Sequence, residues 1–243
     1  LLAIQDLQPN KGKNKKNAIR QIVWKIRAKK VILATGSIER PITFNNNDRP
    51  GIMLANSVSK YLNGYGVNLG KNIVIFTNND SAYQTAIDFH NQNINVAAIV
   101  DVRKNLEGDL PTKVKNLGIK IHTGSIISNT KGRKKIQTVH IKKINQENIE
   151  ILNCDLLCMS GGWSPTVHLF TQSRGKLKFR EEDSCFIPNQ SFQNTLSIGS
   201  CNGVFDLKNI LNETYNSVNN FLNTNDKNNL DHFFLENYWN STK

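Results

Sequence analysis

The chain has 243 residues, enough for one large domain or two small ones, and a formal net charge of +12. Its longest apolar stretches have the length of strands and are far shorter than the roughly 18 residues that a membrane-spanning helix needs. The sequence begins at Leu1 without a charged and apolar leader, so we expect an internal piece of a longer cytoplasmic protein that contacts no membrane.

The first quarter of the chain predicts two strands and a helix. Residues 21–26 alternate apolar and polar side chains, which is typical of a half-buried strand, and residues 29–36, with the apolar run 31–34, predict a buried strand that ends at a glycine turn. Arg40 precedes a proline, so an ordered loop follows. A helix is predicted over 56–65. Its apolar stripe consists of Val58, Tyr61, Leu62 and Tyr65.

The middle of the chain has the pattern of a compact βαβ unit. An apolar strand over 72–76 leads through a short turn into a helix over 81–91, for which Asp80 is the predicted N-cap. A second apolar strand over 95–100 ends at Asp101. The unit is typical of dinucleotide-binding folds, in which the ligand lies at the carboxyl ends of parallel strands.

Further periodic segments extend the fold to residue 222. A helix over 110–117 and a strand over 119–123 precede a β-meander over 126–151, and an apolar strand over 153–159 runs into a glycine pair. A short strand then ends at Gly199, before the apolar stripe of a last helix. This order predicts an α/β fold of doubly wound, Rossmann-like domains. That these are FAD/NAD(P)-binding domains, one inserted in the other, is what the family resemblance given below implies.

The domain limits follow from the same resemblance. We expect residues 1–66 and 160–222 to form parts of an outer dinucleotide-binding domain, and residues 67–159 to form an inserted NAD(P)-binding-like domain. Residues 223–243 are polar and are expected to be a linker towards a further C-terminal domain.

The turn at residues 77–80 lacks the glycines of a phosphate site. In the fingerprint G-x-G-x-x-G/A, the second glycine lets the backbone approach a pyrophosphate. Aligned by strand and helix, Asn79 stands at that position, and its side chain would obstruct the phosphate. Asp80 would add a negative charge, while Asp101 stands where a ribose-binding acid is expected. We therefore expect a βαβ unit whose phosphate site is closed.

Two other strand-ending turns are better candidates for cofactor binding. Ala34, Thr35 and Gly36 permit a close approach of backbone, and Gly199 and Ser200 open towards a helix, where amides could face an anion or a ribose. These five residues are the predicted cofactor-binding set. No histidine stands in a pattern that identifies a general base, so catalytic residues stay unassigned.

Cysteine spacing and basic clusters bound the remaining possibilities. The four cysteines form neither a CxxC pair nor a zinc-like cluster, which predicts buried thiols and no metal site. Basic residues cluster at 11–16, 25–30 and 131–135, and a nucleic-acid-binding or scaffolding module is one alternative for this charge balance. Because no aromatic residues are interleaved with the clusters, we expect solvated or partner-facing turns and no nucleic-acid partner.

Taken together, these segments resemble the two-dinucleotide-domain flavoproteins that include the disulfide reductases. Residues 31–36 are similar to the strand and ATG turn of their outer domain, residues 72–101 to the inserted domain, and residues 154–165 to the return into the outer domain. Gly199 resembles the family's final glycine, but Ser200 stands where an acid normally binds the flavin. This difference argues against ordinary flavin binding, and the missing CxxC argues against a disulfide reductase.

Within this superfamily, the sequence is similar to the alpha subunits of heterotetrameric sarcosine oxidases. The similarity is carried by ATGSIERP at 34–41, NDRPGIM at 47–53, FTNNDSAY at 76–83 and SGGWSPTVHLF at 160–170. It extends from about residue 21 to residue 222. The Thr-Asn-Asn-Asp turn is its most specific element, because it departs from the general fingerprint in the way that this subunit does.

The resemblance implies part of an enzyme that demethylates sarcosine to glycine with oxygen, releases hydrogen peroxide and transfers the one-carbon unit to tetrahydrofolate. It also implies a bound NAD in the outer domain, and FMN and FAD mainly on the beta subunit or its interface. The implied partners are the beta, gamma and delta subunits. A subunit of a related dehydrogenase of proline, opines or cyanide-forming glycine shares the ATG-x-E-R-P segment and is the alternative.

Overall fold

The computed structural model describes residues 2–6 and 20–222. These residues form two compact units. Unit 1 comprises the described residues within Leu1–Thr35, Val167–Lys178 and Ile187–Lys243. Unit 2 comprises Gly36–Thr166 and Phe179–Phe186. Most of unit 2 is therefore inserted in the sequence of unit 1, which confirms the expectation that one domain is inserted in the other.

The predicted domain limits do not coincide with these units. Unit 2 begins at Gly36, whereas the inserted domain was expected over 67–159, between outer segments 1–66 and 160–222. The assignment of a cofactor to either domain stays a prediction. The expected linker 223–243 and the basic cluster 11–16 lie outside the described residues.

The described residues contain sixteen strands, five α-helices and one 3₁₀ helix. The strands are β1 (Leu2–Asp6), β2 (Gln21–Lys25), β3 (Val31–Leu33), β4 (Ser37–Glu39), β5 (Ile52–Leu54), β6 (Asn72–Thr77), β7 (Asn95–Asp101), β8 (Ile121–His122), β9 (Ser125–Lys131), β10 (Thr138–Lys143), β11 (Ile149–Asn153), β12 (Leu156–Ser160), β13 (Trp163–Pro165), β14 (Lys176–Arg180), β15 (Cys185–Gln190) and β16 (Thr195–Ser197). The helices are α1 (Ala55–Tyr65), α2 (Ser81–Asn91), α3 (Asp109–Asn116), α4 (His168–Gln172), the 3₁₀ helix Gly199–Asn202 and α5 (Leu207–Leu222).

Unit 2 is built around a parallel sheet with the strand order β5-β12-β6-β7-β8. Successive residues of a strand point to opposite faces, and both faces of β6 are buried. Ile73 and Ile75 pack in a cluster with residues of α1, α2 and α3, whereas Val74 and Phe76 pack with residues of the meander. Helices therefore cover one face of the sheet and the β-meander covers the other, which explains why its strands are continuously apolar.

The predicted meander is confirmed as a three-stranded antiparallel sheet with the order β11-β10-β9. Ile127 of β9, with Val139 and Ile141 of β10, turn inward and are almost fully buried. The pairing of β10 with β9 shifts register between His140 and Ile141. Apolar and polar residues alternate in this part of the sequence because one face of the sheet packs on the core and the other faces solvent.

Helix α1 differs from its predicted apolar stripe. Val58 is 1 % exposed and faces the core, but Tyr61 and Tyr65 are 44 % and 67 % exposed. Their rings lie 5.9 Å apart and contact each other instead. The helix ends at Gly66, which has a φ of 64° and donates its N–H to Leu62 O. A left-handed residue at this position is the usual role of a glycine after a helix.

Unit 1 holds much less buried apolar surface. β3 and β16 form a two-stranded parallel sheet, and β1 pairs with β2 in an antiparallel ladder. The apolar run at 31–34 was expected to be buried, but only Leu33 is, while Ile32 is 37 % exposed. The reason is that β3 pairs with one strand alone among the described residues. No residue of α5 is fully buried.

Candidate functional site

Strands β3 and β16 bring four of the predicted site residues to one edge of unit 1. The strands run parallel, with Leu33 aligned to Ser197, and Ile198 N donates to Leu33 O at 3.0 Å. Both strands therefore end at the same level. The residues that follow these two ends are Ala34, Thr35, Gly199 and Ser200.

Gly36, the fifth predicted residue, belongs to unit 2. It has a φ of 73°, a left-handed conformation that favours glycine. Its carbonyl oxygen accepts a hydrogen bond from Thr166 N at 2.9 Å. The turn conformation explains the glycine, and the assignment of Gly36 to a cofactor stays a prediction.

A glycine at position 199 is explained by its backbone conformation and not by a lack of space for a side chain. Its φ is 68°, and an added Cβ would meet nothing nearer than Ile210 Cγ2 at 3.5 Å. The following 3₁₀ helix is fixed by Cys201, whose buried thiol donates to Leu33 O and Ile198 O at 3.1 Å each. The turn is thus held against the end of β3 while Ser200 stays half-buried.

This edge of unit 1 lies where the sequence predicts a dinucleotide site, and that assignment stays a prediction. Ala34 is exposed, whereas Thr35, Gly199 and Ser200 are half-buried. Ala34 and Gly199 carry no side-chain donor or acceptor, Thr35 and Ser200 each carry a hydroxyl, and none of the four is charged, so the edge offers backbone groups and two hydroxyls. A G-x-G-x-x-G sequence occurs nowhere in the chain. The pyrophosphate-binding turn of such a site is therefore not among these residues.

In unit 2, three strand ends meet where a dinucleotide would lie in this type of fold. β6 ends at Thr77, the neighbouring β7 ends at Asp101, and β12 ends at Ser160. Asn79, in the turn between β6 and α2, spans this place. Its Nδ2 donates to Ser160 O and to Ser160 Oγ at 3.1 and 3.0 Å. The side chain thus occupies the gap between two neighbouring strand ends.

The amides at the start of α2 are bonded within the turn. Asn79 Oδ1 accepts from Ser81 N at 3.1 Å and from Ser81 Oγ at 2.6 Å. Asn79 N donates to Thr77 Oγ1 at 3.1 Å. A phosphate at a helix N-terminus needs such amides to be free. The indole of Trp163 adds cover, because its Nε1 donates to Ser81 Oγ at 3.0 Å.

The prediction that Asp80 caps α2 is wrong. Asp80 has helical backbone angles, φ −78° and ψ −24°, and its side chain makes no capping hydrogen bond. Its Oδ1 instead lies 2.8 Å from Nη2 of Arg103. Asn79, one residue earlier, takes the capping role because its Oδ1 reaches the amide of Ser81.

Asp101 is the centre of a buried polar network and is not available to a ribose. Its side chain is fully buried. Its carboxylate accepts from Tyr83 Oη at 2.8 Å, and from the backbone N, Nε and Nη2 of Arg103 at 2.8, 3.1 and 2.8 Å. These four donors saturate the carboxylate. The acid therefore stands at the predicted strand end, but it binds its own chain.

Charge and burial fix the protonation of this network. Burial alone lowers the pKa of Arg103, but hydrogen bonds to Asp101 and Asp80 raise it well above its usual value, so the guanidinium stays charged. Burial and the hydrogen bond to Asp101 raise the pKa of Tyr83, so its hydroxyl stays a donor. One cation is thus shared by two carboxylates at the place where a phosphate would need positive charge.

Glu39 and Arg40, which follow the ATG turn, bind different parts of unit 2 and not each other. Glu39 is 6 % exposed, and its Oε2 accepts from Asn56 N in the first turn of α1 at 3.0 Å. Burial raises its pKa, although hydrogen bonds from Ser160 and Asn56 oppose the shift. Arg40 donates to Ser184 O and Asp183 O at 2.7 and 2.8 Å. Both residues have structural contacts that explain them.

The cysteines are buried free thiols, as predicted. Burial raises the pKa of Cys154 to about 12 and also raises the pKa of Cys158 and of Cys185. A thiol with a raised pKa is a poor nucleophile at neutral pH. Among residues 2–6 and 20–222, no group of three or more His, Cys, Asp or Glu side chains could hold a metal ion. Nor does any helix there combine the length and apolarity needed to cross a bilayer.

A separate cleft of about 410 Å³ lies in unit 2 beside α3 and β8. None of the predicted site residues lines it. The lining residues are Leu106, Pro111, Thr112, Lys115, Ile119, Ile121 and Thr123.

The sequence was compared with known proteins. No protein-family model matches it. It is 37 % identical over 193 residues to the sarcosine oxidase subunit alpha of Corynebacterium sp. (strain P-1), a match that covers 77 % of this chain and 20 % of that protein. It is 36 % identical over 165 residues to the sarcosine oxidase subunit alpha of Rhizobium meliloti (strain 1021), covering 68 % of this chain and 16 % of that protein. The chain thus spans about a fifth of the length of these relatives.

Solved structures share the fold. The Lactococcus lactis thioredoxin reductase matches with a TM-score of 0.63 and 15 % identity, covering 84 % of this chain and 67 % of that one. The L-proline dehydrogenase of P. horikoshii matches with a TM-score of 0.50 and 22 % identity, covering 74 % of this chain and 31 % of that one. At these identities the likeness concerns the fold alone, and it confirms the predicted Rossmann-like class.

Proposed function

The chain belongs to the family of sarcosine oxidase alpha subunits, and we propose that it is the part of such a subunit that contributes one wall of an NAD site and helps to assemble the enzyme. The observation that carries the proposal is the identity of 36–37 % to subunits of that name over 68–77 % of this chain. The two strand-end turns of unit 1 supply the physical basis for holding a cofactor.

The proposed reaction is the oxidative demethylation of sarcosine. The methyl carbon loses two electrons and is transferred to tetrahydrofolate, oxygen takes up the two electrons and two protons to give hydrogen peroxide, and glycine is released. We place this chemistry at the flavins, FAD and FMN, mainly on the beta subunit or at its interface. The proposed partners are the beta, gamma and delta subunits, and the proposed location is the cytoplasm.

The NAD is assigned to unit 1 and not to the ends of β6, β7 and β12 in unit 2. When bound, a nicotinamide dinucleotide supplies a ring that can accept a hydride. Residues 34–35 and 199–200 would contribute backbone groups beside it, and Gly199 would keep the turn in its left-handed conformation. In support of this assignment, Asn79 and Asp101 of unit 2 already hydrogen-bond to groups of their own chain. We assign no catalytic residue to this chain.

The proposal is tested on the complete enzyme, isolated with its full-length alpha subunit. Mild denaturation should release NAD in a near-stoichiometric amount, together with the flavins. Steady-state assays should show that sarcosine is oxidised with a higher kcat/KM than proline, an opine or glycine. A complex without NAD would contradict the cofactor assignment. A clear preference for another amine would contradict the substrate, and would favour a related amine dehydrogenase.

A further inference from the structure

The basic turn between β9 and β10 presents four cations that are exposed and unpaired. Lys131, Arg133, Lys134 and Lys135 are all exposed, and none of them forms an ion pair within residues 2–6 and 20–222. Like charges this close repel each other, so the cluster costs free energy unless an anionic surface meets it.

The turn is held firmly in place. Ile136, which follows the last lysine, is completely buried, and its N–H donates to Pro50 O at 2.8 Å. Gln137 N donates to Lys131 O at 2.8 Å, and Arg49 Nη1 donates to Gly132 O. An added Cβ at Gly132 would lie 1.9 Å from Lys135 O. The cations are therefore displayed by a fixed hairpin and not by a loose loop.

An exposed apolar pair lies on the outer face of the same sheet. Directly paired residues of an antiparallel ladder share a face. Thr138 pairs with Lys131 and with Asn153, so these three residues share one face of the sheet with the β11 positions two and four residues before Asn153. His140, which pairs with the first of these positions, is on the same face but only 8 % exposed. Ile151 and Ile149 of the edge strand β11 take those positions and are 56 % and 52 % exposed.

We infer that this outer face of the meander is a docking surface for an acidic region of another subunit of the same enzyme. We call it the meander face and define it by Lys131, Arg133–Lys135, Ile149 and Ile151. Exposed apolar residues beside a charged region are a common combination in protein–protein interfaces. Because the partner is a subunit of the complex, the inference rests on the proposed function.

A protein partner fits this face better than a nucleic acid does. Residues 125–153 contain no Phe, Tyr or Trp, so no ring is available for base stacking. The two exposed isoleucines offer apolar area that a phosphate backbone cannot cover. Charge complementarity then selects a partner region rich in Asp and Glu.

The test uses the full-length alpha subunit and the other subunits of its complex, with association and dissociation rates measured at several salt concentrations. The first variant is Lys131→Glu/Arg133→Glu/Lys134→Glu. Its matched control is Lys60→Glu/Lys113→Glu/Lys115→Glu, which makes the same charge change at exposed lysines elsewhere on unit 2. The second variant is Ile149→Ser/Ile151→Ser.

The first variant should slow association about tenfold at low salt and flatten the salt dependence, because rim charges act mainly on the association rate. The control should stay within about twofold of the native complex. The isoleucine variant should raise the dissociation rate about tenfold with little salt dependence. Circular dichroism spectra and melting curves of each variant verify that the fold is intact.

Several results would overturn the inference. One is equal slowing by both charge variants, and another is no effect of either of them while the complex still forms and oxidises sarcosine. A third is protection of Lys131, Lys134 and Lys135 from an amine-reactive label in the isolated full-length alpha subunit, since its own chain would then cover the face. Binding of duplex DNA that the first variant abolishes would reassign the face. Failure of the native subunits to form any complex would refute the proposed function as well.

Discussion

The strand-end turns of the two units have similar secondary structure, but their side-chain contacts differ. In unit 1, β3 and β16 finish at turns whose residues are half-buried or exposed and carry no charge. In unit 2, the turn after β6 is filled by Asn79, and the end of β7 is tied into the network of Asp101, Arg103 and Tyr83. The comparison teaches that a Rossmann-like scaffold can persist after its ligand groups have been turned inward to stabilise the fold itself.

The largest effect is expected at Asp101, the centre of the buried polar network of unit 2. Asp101→Ala would leave Arg103 and the hydroxyl of Tyr83 without their buried acceptor, and unit 2 should lose about 3–5 kcal/mol of unfolding free energy. The NAD content of correctly folded protein should not change. Tyr83→Phe removes one hydrogen bond to a carboxylate and should cost about 1–3 kcal/mol. Urea unfolding and nucleotide extraction measure both quantities. Loss of NAD without loss of stability would contradict the closed crevice.

The next effect distinguishes a cofactor-binding role of Gly199 from a requirement for its backbone conformation alone. Gly199→Val should cost about 1–2 kcal/mol, because a branched residue is strained at a φ of 68°. It should also weaken NAD binding about tenfold, because the valine side chain would keep the nucleotide away from the backbone of the turn. Gly66→Val is the matched control, since Gly66 has a φ of 64° and nothing lies within 4 Å of an added Cβ. It should lose similar stability and keep its NAD, as measured by titration of the nucleotide-free protein.

A smaller effect distinguishes the two neighbouring residues of the closed turn. Asn79→Ala removes the cap of α2 and the bonds to Ser160, which should cost about 1–2 kcal/mol. Asp80→Ala removes a partly exposed ion pair and should cost less than about 1 kcal/mol. Hydrogen exchange of the α2 amides gives both values. A larger loss at Asp80 would restore it as the capping residue.

The smallest effect is a pH dependence at Glu39. Burial raises the pKa of this carboxyl above 4.5, so the folded chain keeps the proton to higher pH than the unfolded chain does. Its contribution to stability is full below the unfolded pKa of 4.5 and is lost as the pH rises through the folded pKa. Stability should therefore fall slightly over that range in the native protein. Glu39→Gln should abolish this slope. An unchanged slope would assign the dependence to other groups.

The sequence predicted those parts of the fold that have a strong period. The βαβ unit over 72–101, the meander and α5 were found because five or more residues repeat one pattern. The strands β4, β5, β13 and β16 have three residues each, too few for a period to show, although the last was located from its glycine. The exposure of Tyr61 and Tyr65 depends on what packs beside α1, and no local pattern contains that information.

The sequence predicted that the turn after β6 would not bind a phosphate, but it did not show which side chains fill the turn. Two adjacent residues, Asn79 and Asp80, are both good N-caps, and only the backbone angles decide that the first caps the helix and the second pairs with Arg103. The partner of Asp101 had a signal in the sequence. Arg103 follows it by two residues at a strand end, where the two side chains can meet directly.

Hydrogen–deuterium exchange of the full-length alpha subunit, with its dinucleotide bound and after its removal, tests the contrast between the two turns most directly. Removal should increase exchange at residues 31–36 and 198–203 and leave residues 77–83 and 101–103 unchanged. An increase confined to residues 77–83 and 101–103 would show that the dinucleotide lies in the crevice of unit 2, and would contradict the account.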